Sequence, residues 1–162
     1  HQGVGRSAMS GEENLLKIVD PEEQPEGEDY HLQGQVGFLL RKAHQRHVSI
    51  FAAHIGDLTP PQFAALAKLY ESGGTSQNQL GNLIAMDAAT VKGVIDRLKA
   101  RGLVELSRHE EDRRRLMVNL TPEGRQTIEQ MIPTARRATE ETLAPLNARE
   151  AATLTRLLAK IT

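Results

Sequence analysis

The hydrophobic period of this chain changes at Gly102, and that change limits the folds open to it. Before it, Val91, Val94, Ile95 and Leu98 recur at spacings of three and four, one stripe of a helix over residues 88–101. After it, residues 103–108 and 116–120 read as strands, with Leu116, Val118 and Leu120 alternating with Met117 and Asn119. A helix followed at once by a hairpin has one buried stripe and one buried sheet face. Both must be covered by the helices on either side.

Those helices are marked by their ends. Asp87 can cap the helix over 88–101, and Gly102 stops it. Upstream, Thr59-Pro60 opens a helix whose buried face is Phe63, Leu66, Ala67 and Leu69, and Gly73-Gly74 closes it. Thr75 or Ser76 then opens a short helix with Leu80, Leu83 and Ile84. Before these lies a long helix, roughly 30–55, with Leu32, Val36, Leu39, Leu40, Ala43, Ile50, Phe51 and Ile55, ended by Gly56-Asp57. Downstream, Thr121-Pro122-Glu123 begins a helix carrying Ile128, Met131, Ile132 and Ala135, with a kink expected at Pro133. Asn147 to Glu150 resembles a capping box, and the helix it opens is expected to bury Leu154, Leu157, Leu158 and Ile161.

The order is α-α-α-α-β-β-α-α. This is a mainly α chain, a winged helix-turn-helix over 57–121 with helical segments 30–56 and 122–162 available for dimerisation. Residues 1–29 read as a disordered tag and acidic lead-in, with a short helical piece at 15–19.

Composition excludes several classes. The 162 residues contain no Cys, so there is no disulfide framework, thiolate metal site or thiol nucleophile. No apolar run approaches the ~20 residues that span a bilayer, and residues 1–10 lack a signal-peptide core. A cytoplasmic location without membrane association is expected. Aromatics are only 3%, so aliphatic packing between helices must supply the core. The net charge of −1 conceals an acidic stretch over 11–30, with Lys17 its one basic residue. It also conceals a partly basic stretch, with Lys92, Arg97, Lys99, Arg101, Arg108, Arg113, Arg114 and Arg115. A local basic footprint is what phosphate binding needs.

With its apolar stripe buried, the helix over 88–101 presents Ala89, Gly93 and Asp96, flanked by Thr90, Lys92 and Arg97. This face is small and polar, so it can lie flat on base edges. Gly93 within a helix costs about 1 kcal/mol relative to Ala, which a close approach to DNA, or tight packing, would explain. Lys92 and Arg97 can reach guanine edges or phosphates. Asp87, Ala88 and Thr90 stand at the helix N-terminus, where backbone N–H groups favour phosphate. Ser76 and Gln77 open the preceding helix and join the contact set. Arg113, Arg114 and Arg115 at the hairpin tip suit a minor groove. Asp112 is repelled by phosphate and is expected to orient an adjacent Arg by a bidentate pair.

The stretch from Asp87 to Val104, Asp112-Arg-Arg-Arg115 and Val118-Asn-Leu-Thr-Pro-Glu-Gly124 together resemble the MarR (multiple-antibiotic-resistance regulator) family. Asp96-Arg97-Leu98, Arg101-Gly102-Leu103-Val104, Asp112-Arg113-Arg114 and Leu120-Thr-Pro-Glu-Gly124 match its pattern. The helix order extends the resemblance to about 30–161. Glu105-Leu106 departs from it, since many relatives place a basic residue there.

The resemblance implies a DNA-binding transcriptional regulator, by default a repressor. It implies a homodimer through the terminal helices, whose apolar content is high for a monomer, bound to a pseudo-palindromic operator on double-stranded DNA. It also implies a small-molecule effector held between the DNA-binding lobe and the dimer helices. Arg41, His44 and His47, with His54 further along, place a cation and imidazoles beside the apolar stripe of the long helix, and Phe51, Phe63 and Tyr70 can add aromatic walls. That set suits a small aromatic or heteroaromatic carboxylate. Such a ligand would shift the population towards a helix spacing that fits DNA poorly.

Three alternatives stand beside this. The histidines can be ordinary surface or interface residues. His44 and His47, with His54 or Asp57, could bind Zn²⁺ and make a metal-responsive regulator of the same fold. The winged helix could serve protein contacts alone. No Ser/His/Asp set or glycine-rich phosphate loop emerges, and His109-Glu110-Glu111-Asp112 falls in the hairpin loop, so no enzyme activity and no cofactor are expected.

Overall fold

The computed structural model describes residues 29–162. The expected helical piece at 15–19 and most of the acidic lead-in lie outside them. The described elements are α1 (Val36–His54), α2 (Pro60–Ser72), β1 (Thr75–Ser76), α3 (Gln77–Leu83), α4 (Ala88–Ala100), β2 (Val104–Arg108), β3 (Leu116–Leu120), α5 (Pro122–Leu143) and α6 (Ala148–Lys160). The fold is mainly helical with a small antiparallel sheet, as the sequence predicts.

The chain divides into two compact units, one ending at Arg46 and one running from His47 to Thr162. In the first, Leu32–Gly34 is a 3-10 turn, closed by the Gln35 N–H donating to the Leu32 carbonyl at 3.0 Å. The long helix therefore starts at Val36 rather than near residue 30, and Leu32 is not part of its stripe. Val36, Leu39 and Leu40 are exposed. Arg41 and Lys42 stand over the Phe38 ring, 5.8 and 5.6 Å from its centroid.

The second unit holds the core. Leu66, Leu69, Leu80, Val91, Ile95, Leu98, Val118 and Ile128 are its largest fully buried side chains, drawn from α2, α3, α4, β3 and α5. They are the residues whose spacing marks each buried face, with aliphatic packing throughout. Caps fix the helix ends. Thr59 and Gln62 form a reciprocal capping box on α2, Ser76 caps α3, Thr121 caps α5, and Asn147 with Glu150 boxes α6. α5 runs on through Pro133 as one helix.

The sheet has a third strand that periodicity does not announce. β1 pairs Thr75 with Val118 and Ser76 with Met117, giving the order β1-β3-β2. β2 and β3 pair in register from Val104↔Leu120 to Arg108↔Leu116. At Gly74, where the chain enters β1, an added Cβ would overlap the Asn119 side chain.

α6 departs from expectation within a single chain. Leu154, Leu157 and Ile161 are 39%, 44% and 64% exposed, and only Leu158 of the four is half-buried. The stripe exists, but none of the described residues covers it. Among the described residues, no helix is long and apolar enough to cross a membrane.

Candidate nucleic-acid interface and effector groove

α3 and α4 meet across a tight turn. Gly81 sits beneath it, where a Cβ would press on the Met86 carbonyl at 3.1 Å and Val91 Cγ1 at 3.2 Å. The Met86 N–H returns to the Gly81 carbonyl at 2.8 Å, and Ala85 takes a left-handed φ of 56°. Asp87 then caps α4: its Oδ1 accepts the Thr90 N–H at 2.7 Å. The bond from the Thr90 N–H, and secondarily the Thr90 side chain, hold this carboxyl below its ordinary value of 3.8.

Val91, Val94, Ile95 and Leu98 are buried, as their spacing predicts. Ala89, Thr90, Lys92, Asp96 and Arg97 are exposed on the other side, with the half-buried Gly93 among them. The Lys92 ammonium pairs with Asp96 at 2.8 Å, so its charge is partly engaged. At Gly93 an added Cβ would meet only Arg97 Nη1 at 3.6 Å, an ordinary contact with a flexible side chain. Packing among the described residues therefore does not demand a glycine here.

Gly102 ends α4 with φ 72° and hands the chain to β2. The wing loop is organised from within. The Asp112 Oδ1 accepts both the Arg114 N–H at 3.1 Å and the Arg114 Nε–H at 3.3 Å. Asp112 thus orients an arginine, as expected, but through one oxygen holding backbone and side chain rather than through a bidentate fork. His109 Nδ1 accepts the N–H groups of Glu111 and Asp112, both at 3.1 Å. The Arg108 Nη1 reaches the Arg113 carbonyl at 3.4 Å. Arg113, Arg114 and Arg115 are all exposed.

β1 explains how the two predicted contact sets come together. Its pairing with β3 ties the start of α3 to the base of the wing, and Ser76, Gln77, Asn78, Arg114, Arg115 and Leu116 line one recess of about 310 Å³. Asn78 is an addition; as the second residue of a short helix it carries no sequence signal.

The predicted effector residues are dispersed. His47 Nδ1 lies 2.9 Å from Thr142 Oγ1, whose hydroxyl donates to the Ala138 carbonyl at 2.8 Å. His47 and Phe51 have ring centroids 6.2 Å apart, and Phe51 meets Phe63 edge-on at 5.6 Å. Phe51 is only 5% exposed and belongs to the core. His54 faces Glu141 at 3.7 Å. Arg41 and His44 belong to the N-terminal unit and are exposed.

Phe63 lines an open groove of about 430 Å³ with Ile132, Ala135, Arg136, Thr139 and Glu140 of α5. Tyr70 is not among its lining residues. It lies two helical turns further along α2, where its hydroxyl donates to Glu129 at 3.1 Å and Arg125 stands 5.3 Å over its ring. The bond to Glu129, then desolvation, raise its pKa above the ordinary 10.0. Arg136 is a cation that sequence reasoning missed, although it follows Ile132 by four and shares its helix face. Among the described residues, no three His, Cys, Asp or Glu side chains gather into a metal-binding group.

Known proteins share this architecture. The MarR family model matches residues 58–116. The transcriptional repressor NicR of Pseudomonas putida is 42% identical over 150 residues, covering 91% of this chain and 95% of that protein. A structure of Bordetella bronchiseptica BpsR, described as showing the mechanism for regulation of its DNA binding by 6-hydroxynicotinic acid, is 45% identical. It covers 82% of this chain and 96% of BpsR, with a TM-score of 0.79. A mutant of Escherichia coli MarR complexed with operator DNA is 26% identical, covering 78% of this chain and 92% of that one, with a TM-score of 0.73. This chain belongs to the MarR family of winged-helix, DNA-binding transcriptional regulators.

Proposed function

We propose that this protein is a homodimeric repressor that leaves its operator when it binds a small heteroaromatic carboxylate. The observation that carries the DNA half is the joining of Ser76, Gln77, Arg114 and Arg115 around one recess, beside an α4 face of small and polar side chains. On this account Ala89, Thr90, Lys92, Gly93 and Arg97 meet the major groove. Asp87 and Ala88 set the helix N-terminus against phosphate, and Arg113 to Arg115 grip from the wing. The exposed stripe of α6 supports a dimer, since a second copy would cover Leu154, Leu157 and Ile161. Two-fold symmetry then sets two α4 helices about 34 Å apart on a pseudo-palindrome. A protein with this work acts in the cytoplasm, where the chromosome is accessible.

The effector half rests on the relative BpsR, whose DNA binding is regulated by 6-hydroxynicotinic acid, and on the α2–α5 groove. Its volume suits a single-ring acid. Phe63 offers a ring edge or face, Arg136 a guanidinium for a carboxylate, and Thr139 a hydroxyl. His47 and Phe51 back this wall through the Phe51–Phe63 contact. Arg41 and His44 are candidates in their own unit, to be separated from Arg136 by substitution.

The test uses a duplex selected by the protein from a randomised pool. Hydroxynicotinates and hydroxybenzoates are titrated against the complex. A hydroxynicotinate should weaken DNA binding by about 5- to 150-fold, the usual range of such coupling. Arg136→Ala should abolish the response and leave DNA affinity unchanged. If no acid of either class alters binding, the effector assignment is wrong.

A further inference from the structure

We propose that His109 is a positioning residue for the wing arginine Arg114, acting through Asp112. Its ring is the acceptor around which the loop turns. Nδ1 takes the backbone N–H groups of both Glu111 and Asp112, each at 3.1 Å. Two donors on one nitrogen require that nitrogen to be unprotonated, which leaves the ring proton on Nε2. The His109 N–H donates to the Arg115 carbonyl at 3.0 Å, and the Arg115 N–H to the Asp112 carbonyl at 3.0 Å, closing the loop on itself. Asp112 is fixed by these bonds at its N–H and its carbonyl. Its Oδ1 then holds the Arg114 backbone and Nε.

The bonds form a chain from His109 through Asp112 to Arg114. Without it, a loop of exposed polar residues would sample many conformations, and Arg114 would lose a fixed direction. Pre-ordering matters because a long arginine side chain otherwise loses rotamer and loop freedom on meeting DNA. This inference rests on the proposal that Arg114 contacts DNA.

The test compares His109→Leu, which keeps the branch at Cγ but has no acceptor, with His109→Asn, whose Oδ1 can occupy the place of Nδ1. Both are combined with Arg114→Ala, and affinity is measured on the selected duplex. Melting curves and dimer mass report whether each variant folds. His109→Leu should bind about tenfold more weakly, the scale of one net hydrogen bond. His109→Asn should restore most of that affinity, and the double variant His109→Leu, Arg114→Ala should bind no more weakly than Arg114→Ala alone. Wild-type affinity in His109→Leu would overturn the proposal. So would losses that multiply in the double variant, or an Asn variant as weak as the Leu variant with both folded. If Arg114→Ala itself binds like wild type, the DNA contact on which the inference rests is what fails.

Discussion

Gly124 packs directly on the carbonyl of Leu103: an added Cβ would overlap that oxygen and its carbon. Around this contact, Thr121 Oγ1 donates to the Gly102 carbonyl at 2.6 Å and accepts the Gly124 N–H at 3.0 Å. The Thr121 N–H reaches the Leu103 carbonyl at 3.1 Å. The end of α4, the start of β2 and the first turn of α5 are thus one joint. The Thr-Pro-Glu-Gly motif is its sequence signature: a cap, a first-turn proline, an acid favoured by the helix dipole, and a residue without a side chain.

Gly124→Ala should therefore destabilise the fold. The obstructing atoms are backbone and cannot swing aside, so the loss should be about 1–3 kcal/mol, the range for forced overpacking. Urea denaturation reads it as a lower midpoint. An unchanged midpoint would show that the joint yields.

Gly93→Ala should do the reverse in the free protein. The site is open, so replacing a mid-helix glycine should add about 0.5–1 kcal/mol of stability. If α4 lies against base edges at this point, the same methyl should weaken duplex binding. A variant that is both more stable and equally tight on DNA would remove Gly93 from the interface.

The Asp87 cap carries a pH dependence with a definite sign. Its carboxyl is held below the ordinary value of 3.8 by Thr90, so the folded state favours its ionised form. That stabilisation is present above 3.8 and is lost as pH falls through the lowered value. The melting temperature of Asp87→Ala should thus lie below wild type at neutral pH. The gap should narrow as pH falls below the ordinary value of 3.8. A gap that is constant with pH would assign the cap's effect to geometry alone.

What was legible in the sequence was what acts locally. The caps at Thr59, Asp87, Thr121 and Asn147, the stop at Gly102 and the buried stripe of α4 follow from neighbours within one turn, and each is found in place. β1 escaped because two residues have no period; it exists only through pairing with Val118 and Met117, over forty residues away. His109 reads as one more polar loop residue until its acceptor role is visible. Tyr70 looked like a pocket wall because it is aromatic and on α2. It shares the face of Phe63 but stands two turns further along α2, where its hydroxyl is held by Glu129. Arg136 was hidden among the charges of α5, since only the position of Phe63 on α2 shows which of them shares its groove. The α6 stripe was legible, but what covers it was not, because no described residue lies over it.

Operator affinity as a function of salt tests the central claim most directly, measured for wild type and for the double variant Arg113→Glu, Arg115→Glu. The wild-type protein should lose affinity steeply as salt rises, with log K falling linearly in log salt at about 0.9 per phosphate contact. The variant should lose binding at all but the lowest salt while keeping the wild-type melting temperature and dimer mass. Full affinity and an unchanged salt slope in the variant would contradict the account and take the wing off the DNA.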